Sequence, residues 1–194
     1  TEFKTELLDQ LRTAYVSGRG MATAFGVFLE QVLGPHGLVV YNSSDPATKP
    51  LARDVFLTEL RHPGETARIA ARAGDALVAK GYHAQAMFAD GAVALFHLNA
   101  ERAAIKIEGA TATVGEATMP VAQLIAEAEA HPERFSPNVL TRPIVQDTVF
   151  PTICYVAGPN ELAYLGQLKD VYAHFGVPMP LMYQRGTATL ADSA

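Results

Sequence analysis

Apolar positions recur at helical spacing through the first third of the chain. Leu7, Leu8, Leu11, Ala14 and Tyr15 fall three and four residues apart, which predicts an amphipathic helix over Phe3 to Ser17. Gly18-Arg-Gly20 interrupts the pattern. Phe25, Phe28, Leu29 and Val32 mark a second helix from Met21 to Leu33. Gly34-Pro-His-Gly37 ends it, since glycine suits the left-handed residue after a helix and proline cannot continue one. Gly37-Leu-Val-Val-Tyr41 is a short continuous apolar run between turn residues and reads as a buried parallel strand. Two helices rich in alanine and arginine follow, Lys49 to Leu60 and Glu65 to Lys80, divided by Pro63-Gly64.

The texture then changes. Val93 to Leu98 and Arg102 to Ile107 read as strands, joined closely through Asn99-Ala-Glu101, which predicts an antiparallel hairpin. Ala112-Thr-Val114 adds a short third strand, and Thr118 to His131 a helix with Val121, Leu124, Ile125 and Ala128 on one face. Residues 51–132 therefore form a small inserted α+β module. Beyond Pro132 the order is strand Ile153 to Ala157, helix Pro159 to Phe175, strand Met179 to Tyr183. That is a βαβ unit, and it sets the carboxyl ends of both strands, Gly158 and Arg185, on one rim. The fold class is α/β, with residues 1–50 and 133–194 as parts of the core.

Composition narrows the function classes. Of 194 residues 49% are hydrophobic, which places the chain among packed globular proteins. The net charge of −5 and the scattered basic residues exclude nucleic acid as a partner. No apolar run approaches the ~20 residues that span a bilayer, so no membrane partner is expected. A single cysteine, Cys154, rules out an internal disulfide and points to a reducing, cytoplasmic compartment. Lying within an apolar run, Cys154 reads as a small buried hydrophobe. The histidines show no metal-ligand spacing, so no metal is expected. Both ends read as cut from something longer.

The candidate chemistry lies between Phe135 and Arg185. A strand that stops at glycine and turns into a helix is where open α/β sheets bind ligands. Gly158-Pro-Asn-Glu161 has this form, with proline at the first helical position. Asn160 and Glu161 line a pocket there, or Glu161 simply caps its helix. Asn138, Arg142, Gln146 and Asp147 form a second polar cluster. Arginine suits bidentate recognition of carboxylate or phosphate. An Arg142–Asp147 pair that pins the loop is the competing reading. Arg185, at a strand end, is a third candidate for an anionic group.

Three linked motifs carry a resemblance to a known family. Residues 135–152 read F-S-P-N-V-L-T-R-P-I-V-Q-D-T-V-F-P-T, residues 157–164 A-G-P-N-E-L-A-Y, and residues 176–185 G-V-P-M-P-L-M-Y-Q-R. They resemble the bacillithiol biosynthesis cysteine-adding enzyme family. G-L-V-V-Y-N-S-S-D, G-Y-H-A-Q and E-R-A-A-I stand earlier in the order that family shows, so the resemblance covers nearly the whole chain. It implies an internal fragment of a longer ligase: part of a Rossmann-like parallel sheet core with inserted connective modules, followed in the full-length protein by a coiled coil. The implied reaction joins L-cysteine to glucosaminyl-malate through an amide. Activation by ATP or a related nucleotide is implied for the full-length enzyme, while the fragment is expected to bind no cofactor and to be inactive alone. A homodimer of the full-length protein is compatible with this.

The resemblance places Asn138, Arg142, Gln146 and Asp147 on one wall of a substrate cleft and Gly158, Asn160 and Glu161 on its rim. Arg142 and Arg185 would take the negative groups of malate or phosphate. Asp147 or Glu161 would orient the cysteine amine or act as base. The chain departs from the family in lacking an upstream glycine-rich stretch and acidic motif, and in carrying Gln184 where proline is common before the arginine. Two rival readings remain: another Rossmann-like nucleotide-using transferase, or a non-catalytic binding or assembly module.

Overall fold

The computed structural model describes residues 3–84, 92–98, 101–189 and 191. It divides into two units, Thr1–Asp45 and Pro46–Ala194. The first contains helices α1 (Lys4–Ala14) and α2 (Met21–Leu33), which pack together with Tyr15 and Phe28 in contact at 6.4 Å between ring centroids. Arg19 donates to the carbonyls of Thr13 and Ala14 at 2.9 and 2.7 Å, partnering groups that a helix end leaves open. The strand expected at Gly37 to Tyr41 does not form. Those residues find no ladder partner among the described residues, and Val39 is 83% exposed. The run instead folds back on α2: Leu38 N–H bonds the Leu33 carbonyl, and Val40 lies against Gly26.

The second unit opens with a 3-10 turn, Pro46–Ala52, before α3 (Arg53–Arg61) and α4 (Glu65–Val78). One helix from Lys49 was expected. Pro50 lacks an amide donor, and the regular helix begins only beyond it. Strands β1 (Ala92–Leu98), β2 (Arg102–Glu108), β3 (Thr111–Val114) and β4 (Ala117–Pro120) form an antiparallel meander. After α5 (Val121–Ala130) the chain returns as β5 (Phe135–Pro137), which pairs antiparallel with β1 and gives the order β4-β3-β2-β1-β5. The helix expected from Thr118 starts at Val121 because Ala117–Pro120 is held in the ladder with β3. The hairpin turn at Asn99-Ala100, and Gln85 of the G-Y-H-A-Q motif, lie outside the described residues.

β5 leads into α6 (Arg142–Val149), and β6 (Cys154–Ala157) pairs in parallel with β7 (Leu181–Gln184), with Ala157 opposite Gln184. The connection between them is two helices, α7 (Pro159–Leu165) and α8 (Lys169–Phe175), rather than the single helix expected. The break has a packing cause. Gln167 turns into the core, fully buried, and donates to the Ala70 carbonyl of α4 at 3.2 Å. Gly74 makes room for it, since a Cβ there would stand 2.7 Å from the Gln167 amide nitrogen.

Two hydrophobic clusters hold this unit. Val93 and Leu95 of β1 meet Phe56, Leu60, Ile105, Leu124 and Phe135 in one. Ala94, pointing to the opposite face as strand alternation requires, joins Val55, Ile144, Leu165, Leu168 and Tyr172 in the other. β6 also alternates: Tyr155 and Ala157 are buried, whereas Cys154 and Val156 are exposed. Cys154 is therefore not the buried hydrophobe expected, because β6 buries one face only. Between the clusters Glu59 is fully buried. Its carboxylate accepts from Ala94 N–H at 2.7 Å and from the Thr66 hydroxyl.

Candidate active site

The turn between β5 and α6 is built by Asn138. Its Oδ1 accepts from Leu140 N–H at 2.8 Å and from Thr141 N–H at 3.4 Å, and its carbonyl accepts from Arg142 N–H at 2.9 Å. Thr141 anchors the same turn by donating its hydroxyl to the Ala94 carbonyl at 2.5 Å. Pro143 follows at a first-turn position where its missing N–H has no helical partner. The result is a short helix that starts at Arg142 and presents Arg142, Gln146 and Asp147 along successive turns.

Arg142 is the centre of a hydrogen-bond network. One guanidinium nitrogen donates to the Tyr155 hydroxyl oxygen at 2.8 Å and to that of Tyr164 at 2.7 Å, and the other reaches Gln146 Oε1 at 3.4 Å. Tyr155 passes its own proton on toward Glu161 Oε1 at 3.2 Å. Glu161 Oε2 accepts from Gly158 N–H at 3.0 Å, which caps the first turn of α7. Glycine has no side chain to return the bond, so only this half of a capping box exists. Gln146 also donates to Asp147 at 3.4 Å, and Asp147 accepts from the Tyr172 hydroxyl at 2.5 Å. Asp147 thus turns to Tyr172, and no Arg142–Asp147 ion pair pins the loop.

The parallel pairing of β6 and β7 brings Arg185 to the same place. Arg185 N–H bonds the Ala157 carbonyl at 2.8 Å, and its side chain lies across Gly158. A Cβ on Gly158 would fall 2.9 Å from the guanidinium and 3.6 Å from Glu161 Oε2. Gly158 has extended backbone with φ −73°, so here glycine supplies space rather than an unusual dihedral. The structure therefore joins Arg142, Gln146, Asp147, Gly158, Glu161 and Arg185 in one locality. Asn138 stands at the entry to α6 with its carbonyl oxygen occupied by the turn, and Asn160 is exposed on the first turn of α7.

Three residues were missed from sequence: Tyr155, Tyr164 and Tyr172. Tyr155 sat in an apolar strand run and Tyr172 on the inward face of a helix, so both passed as core, and Tyr164 stood only as the last residue of a motif. The available signal was that a buried phenol needs a hydrogen-bond partner, and that Tyr155 and Tyr164 flank Gly158-Pro-Asn-Glu161 in sequence.

The electrostatics follow from these contacts. The Gly158 amide, then the Tyr155 hydroxyl and the charges of Arg142 and Arg185, hold the Glu161 carboxyl below the usual carboxylate range. Burial pushes the Tyr155 phenol up. Burial and the Asp147 carboxylate do the same to Tyr172. Burial opposes the charge on Arg142, yet the two phenolic oxygens outweigh it. The locality thus contains a permanently charged guanidinium held by neutral oxygens, with an ionised carboxylate one tyrosine away. A guanidinium charge with only neutral direct partners attracts a carboxylate or phosphate group. Among the described residues no group of His, Cys, Asp and Glu could hold a metal ion, and no helix is long and apolar enough to cross a membrane.

Parallel strands joined through helices, with a polar cluster at their carboxyl ends, are of the Rossmann-like α/β class. The chain belongs to the family described as Bacillithiol biosynthesis BshC, N-terminal Rossmann-like domain, whose sequence model matches residues 1–186. It is similar to the protein named "Putative cysteine ligase BshC" in Chlorobium phaeobacteroides (strain BS1), 32% identical over 200 residues that cover 100% of this chain and 35% of the relative. A protein of the same name in Salinibacter ruber (strain DSM 13855 / M31) is 35% identical over 196 residues, 99% of this chain and 36% of the relative. That in Geobacillus kaustophilus (strain HTA426) is 32% identical over 198 residues, again 99% and 36%. The chain spans about a third of the length of these relatives.

Proposed function

We propose that the chain is the substrate-binding part of a cytoplasmic ligase that adds L-cysteine to glucosaminyl-malate, with ATP or a related nucleotide activating the carboxylate in the whole protein. Amide formation from a free carboxylate needs such activation. The observation that carries the reading is the Arg142 fork: a half-buried arginine held by Tyr155 and Tyr164 and by no carboxylate, beside Arg185, in a chain of this family. Arg142 and Arg185 bind the negative groups of malate or phosphate. Glu161, kept ionised, orients the cysteine ammonium, and Asp147, bonded to Tyr172, is the second candidate for that role or for the base. Asn138, Gln146, Gly158 and Asn160 shape the cleft around them.

The test is Arg142→Ala in the longer protein that contains this chain, measured as cysteine addition to glucosaminyl-malate. The expected loss in kcat/KM is on the order of 10–100-fold, the weight of one charge-assisted hydrogen bond. Arg142→Lys keeps the charge but loses the planar fork, and falls between. Unchanged turnover and affinity in Arg142→Ala would remove Arg142 from the site. A thermal shift with nucleotide sugars but none with glucosaminyl-malate or cysteine would favour another transferase.

A further inference from the structure

The ladder between β1 and β5 ends at Ala94 and Asn138, and it ends half-made. One step beyond the Leu95–Pro137 pair, the register sets these two residues opposite each other. A hydrogen-bonded antiparallel pair exchanges two N–H···O bonds. One of them forms: Asn138 N–H donates to the Ala94 carbonyl at 3.0 Å. The return bond is not made, because both of its groups are taken elsewhere. Ala94 N–H donates to the Glu59 carboxylate at 2.7 Å, and the Asn138 carbonyl accepts from Arg142 N–H at 2.9 Å. The strand therefore stops, and the chain turns into α6 with Arg142 as its first residue.

Thr141 occupies the position before that helix. A threonine there ordinarily turns its hydroxyl back to an amide of its own first turn. Thr141 makes no such cap. It is fully buried, and its hydroxyl donates instead to the Ala94 carbonyl of β1 at 2.5 Å. That carbonyl already has the Asn138 amide, so it does not need the hydroxyl. What the bond adds is a second tie between β1 and the start of α6, at the residue next to Arg142. One nitrogen of Arg142 meets the Tyr155 and Tyr164 hydroxyls at 2.8 and 2.7 Å, and bonds of these lengths weaken with small shifts of the helix that carries the arginine. We propose that Thr141 is a positioning residue for Arg142, an assignment that rests on the anion-binding role proposed for that arginine. Through Ala94 it fixes where α6 begins, and hence where the guanidinium stands.

The experiment is steady-state cysteine addition to glucosaminyl-malate by the longer protein that contains this chain. Wild type is compared with Thr141→Val, Thr141→Ser, Arg142→Ala and the double variant Thr141→Val with Arg142→Ala. Thr141→Val removes the hydroxyl and leaves the Ala94 carbonyl its Asn138 partner, so no buried group is orphaned and the protein is expected to fold. Thr141→Ala is measured beside it, which separates loss of the hydroxyl from a misfit of valine. The expected result is a KM for glucosaminyl-malate raised about fivefold or more in both, the weight of one hydrogen bond, with a smaller change in kcat. Thr141→Ser keeps the hydroxyl and restores most of the loss. In the Arg142→Ala background Thr141→Val changes nothing further, because a residue that acts through Arg142 has nothing left to position. An unchanged KM in folded Thr141→Val and Thr141→Ala, or the same rise with and without Arg142, overturns the assignment and leaves the role of Arg142 standing. Arg142→Ala without effect overturns both.

Discussion

Two polar nodes lie inside the second unit, Glu59 and Arg142, and they are built in opposite ways. Glu59 is fully buried and closed off by its own fold: a backbone amide of β1 and the Thr66 hydroxyl take both carboxylate oxygens. Burial pushes its pKa up. Arg142 is only partly buried, and its partners are two phenols and an amide. Each Glu59 carboxylate oxygen has a partner inside the protein, and the side chain is closed off from solvent. Arg142 keeps a full charge whose direct partners are neutral, with the Glu161 carboxylate one phenol away and a second arginine, Arg185, beside Glu161. A closed node fastens elements together. A node stabilised by neutral groups and left partly open is what the proposed anion-binding role of Arg142 requires.

The comparison can be broken most directly at Glu59. Glu59→Ala leaves Ala94 N–H and the Thr66 hydroxyl without partners and should lower stability by about 3 kcal/mol, read by urea unfolding. Glu59→Gln can still accept from Ala94 N–H while its amide donates to Thr66, and should recover most of that loss. If Gln were as damaging as Ala, the charge and not the hydrogen bonds would hold the node. The pH dependence has a definite sign. With the folded pKa raised, this group's contribution is fully present below the unfolded carboxylate pKa and is lost as pH rises through the folded value. Glu59→Gln should flatten that part of the stability profile.

A smaller effect is expected at Tyr155, the link between Arg142 and Glu161. Tyr155→Phe should cost about 1 kcal/mol in stability but weaken binding of an anionic substrate severalfold, because Arg142 loses a partner that positions it. A stability loss with unaltered binding would class the Arg142 network with Glu59 as structural. The smallest change is Glu161→Gln, worth ~0.3–1 kcal/mol at the N-terminus of a helix. Its folded pKa is lowered, so its contribution is present above the unfolded carboxylate pKa and is lost as pH falls through the folded value. Thermal melts between acid and neutral pH should show that loss in wild type and not in Glu161→Gln.

Much of this architecture was legible in the chain. Met21 to Leu33 is the helix α2 to the residue, because glycine flanks an unbroken helical period. The β1–β2 pairing and the parallel β6–β7 unit followed from spacing alone. The elements that were missed depend on partners far away in sequence. β5 is three residues long and exists because β1 offers an edge. α6 is short, polar on one side, and started by the Asn138 turn. The strand expected at Gly37 to Tyr41 failed for the converse reason, having apolar character and no edge to join.

The site divides in the same way. Apolar periodicity and the glycine and proline stops set where helices and strands lie. The motifs between Phe135 and Arg185 named residues that the fold brings close together, because those signals act within a few residues. Only the tertiary structure decided what each polar group meets: Arg142 with Tyr155 and Tyr164, Asp147 with Tyr172 rather than Arg142, and Arg185 across Gly158. A phenol buried by one element can be satisfied only by whichever element packs on it, and that choice belongs to the core as a whole.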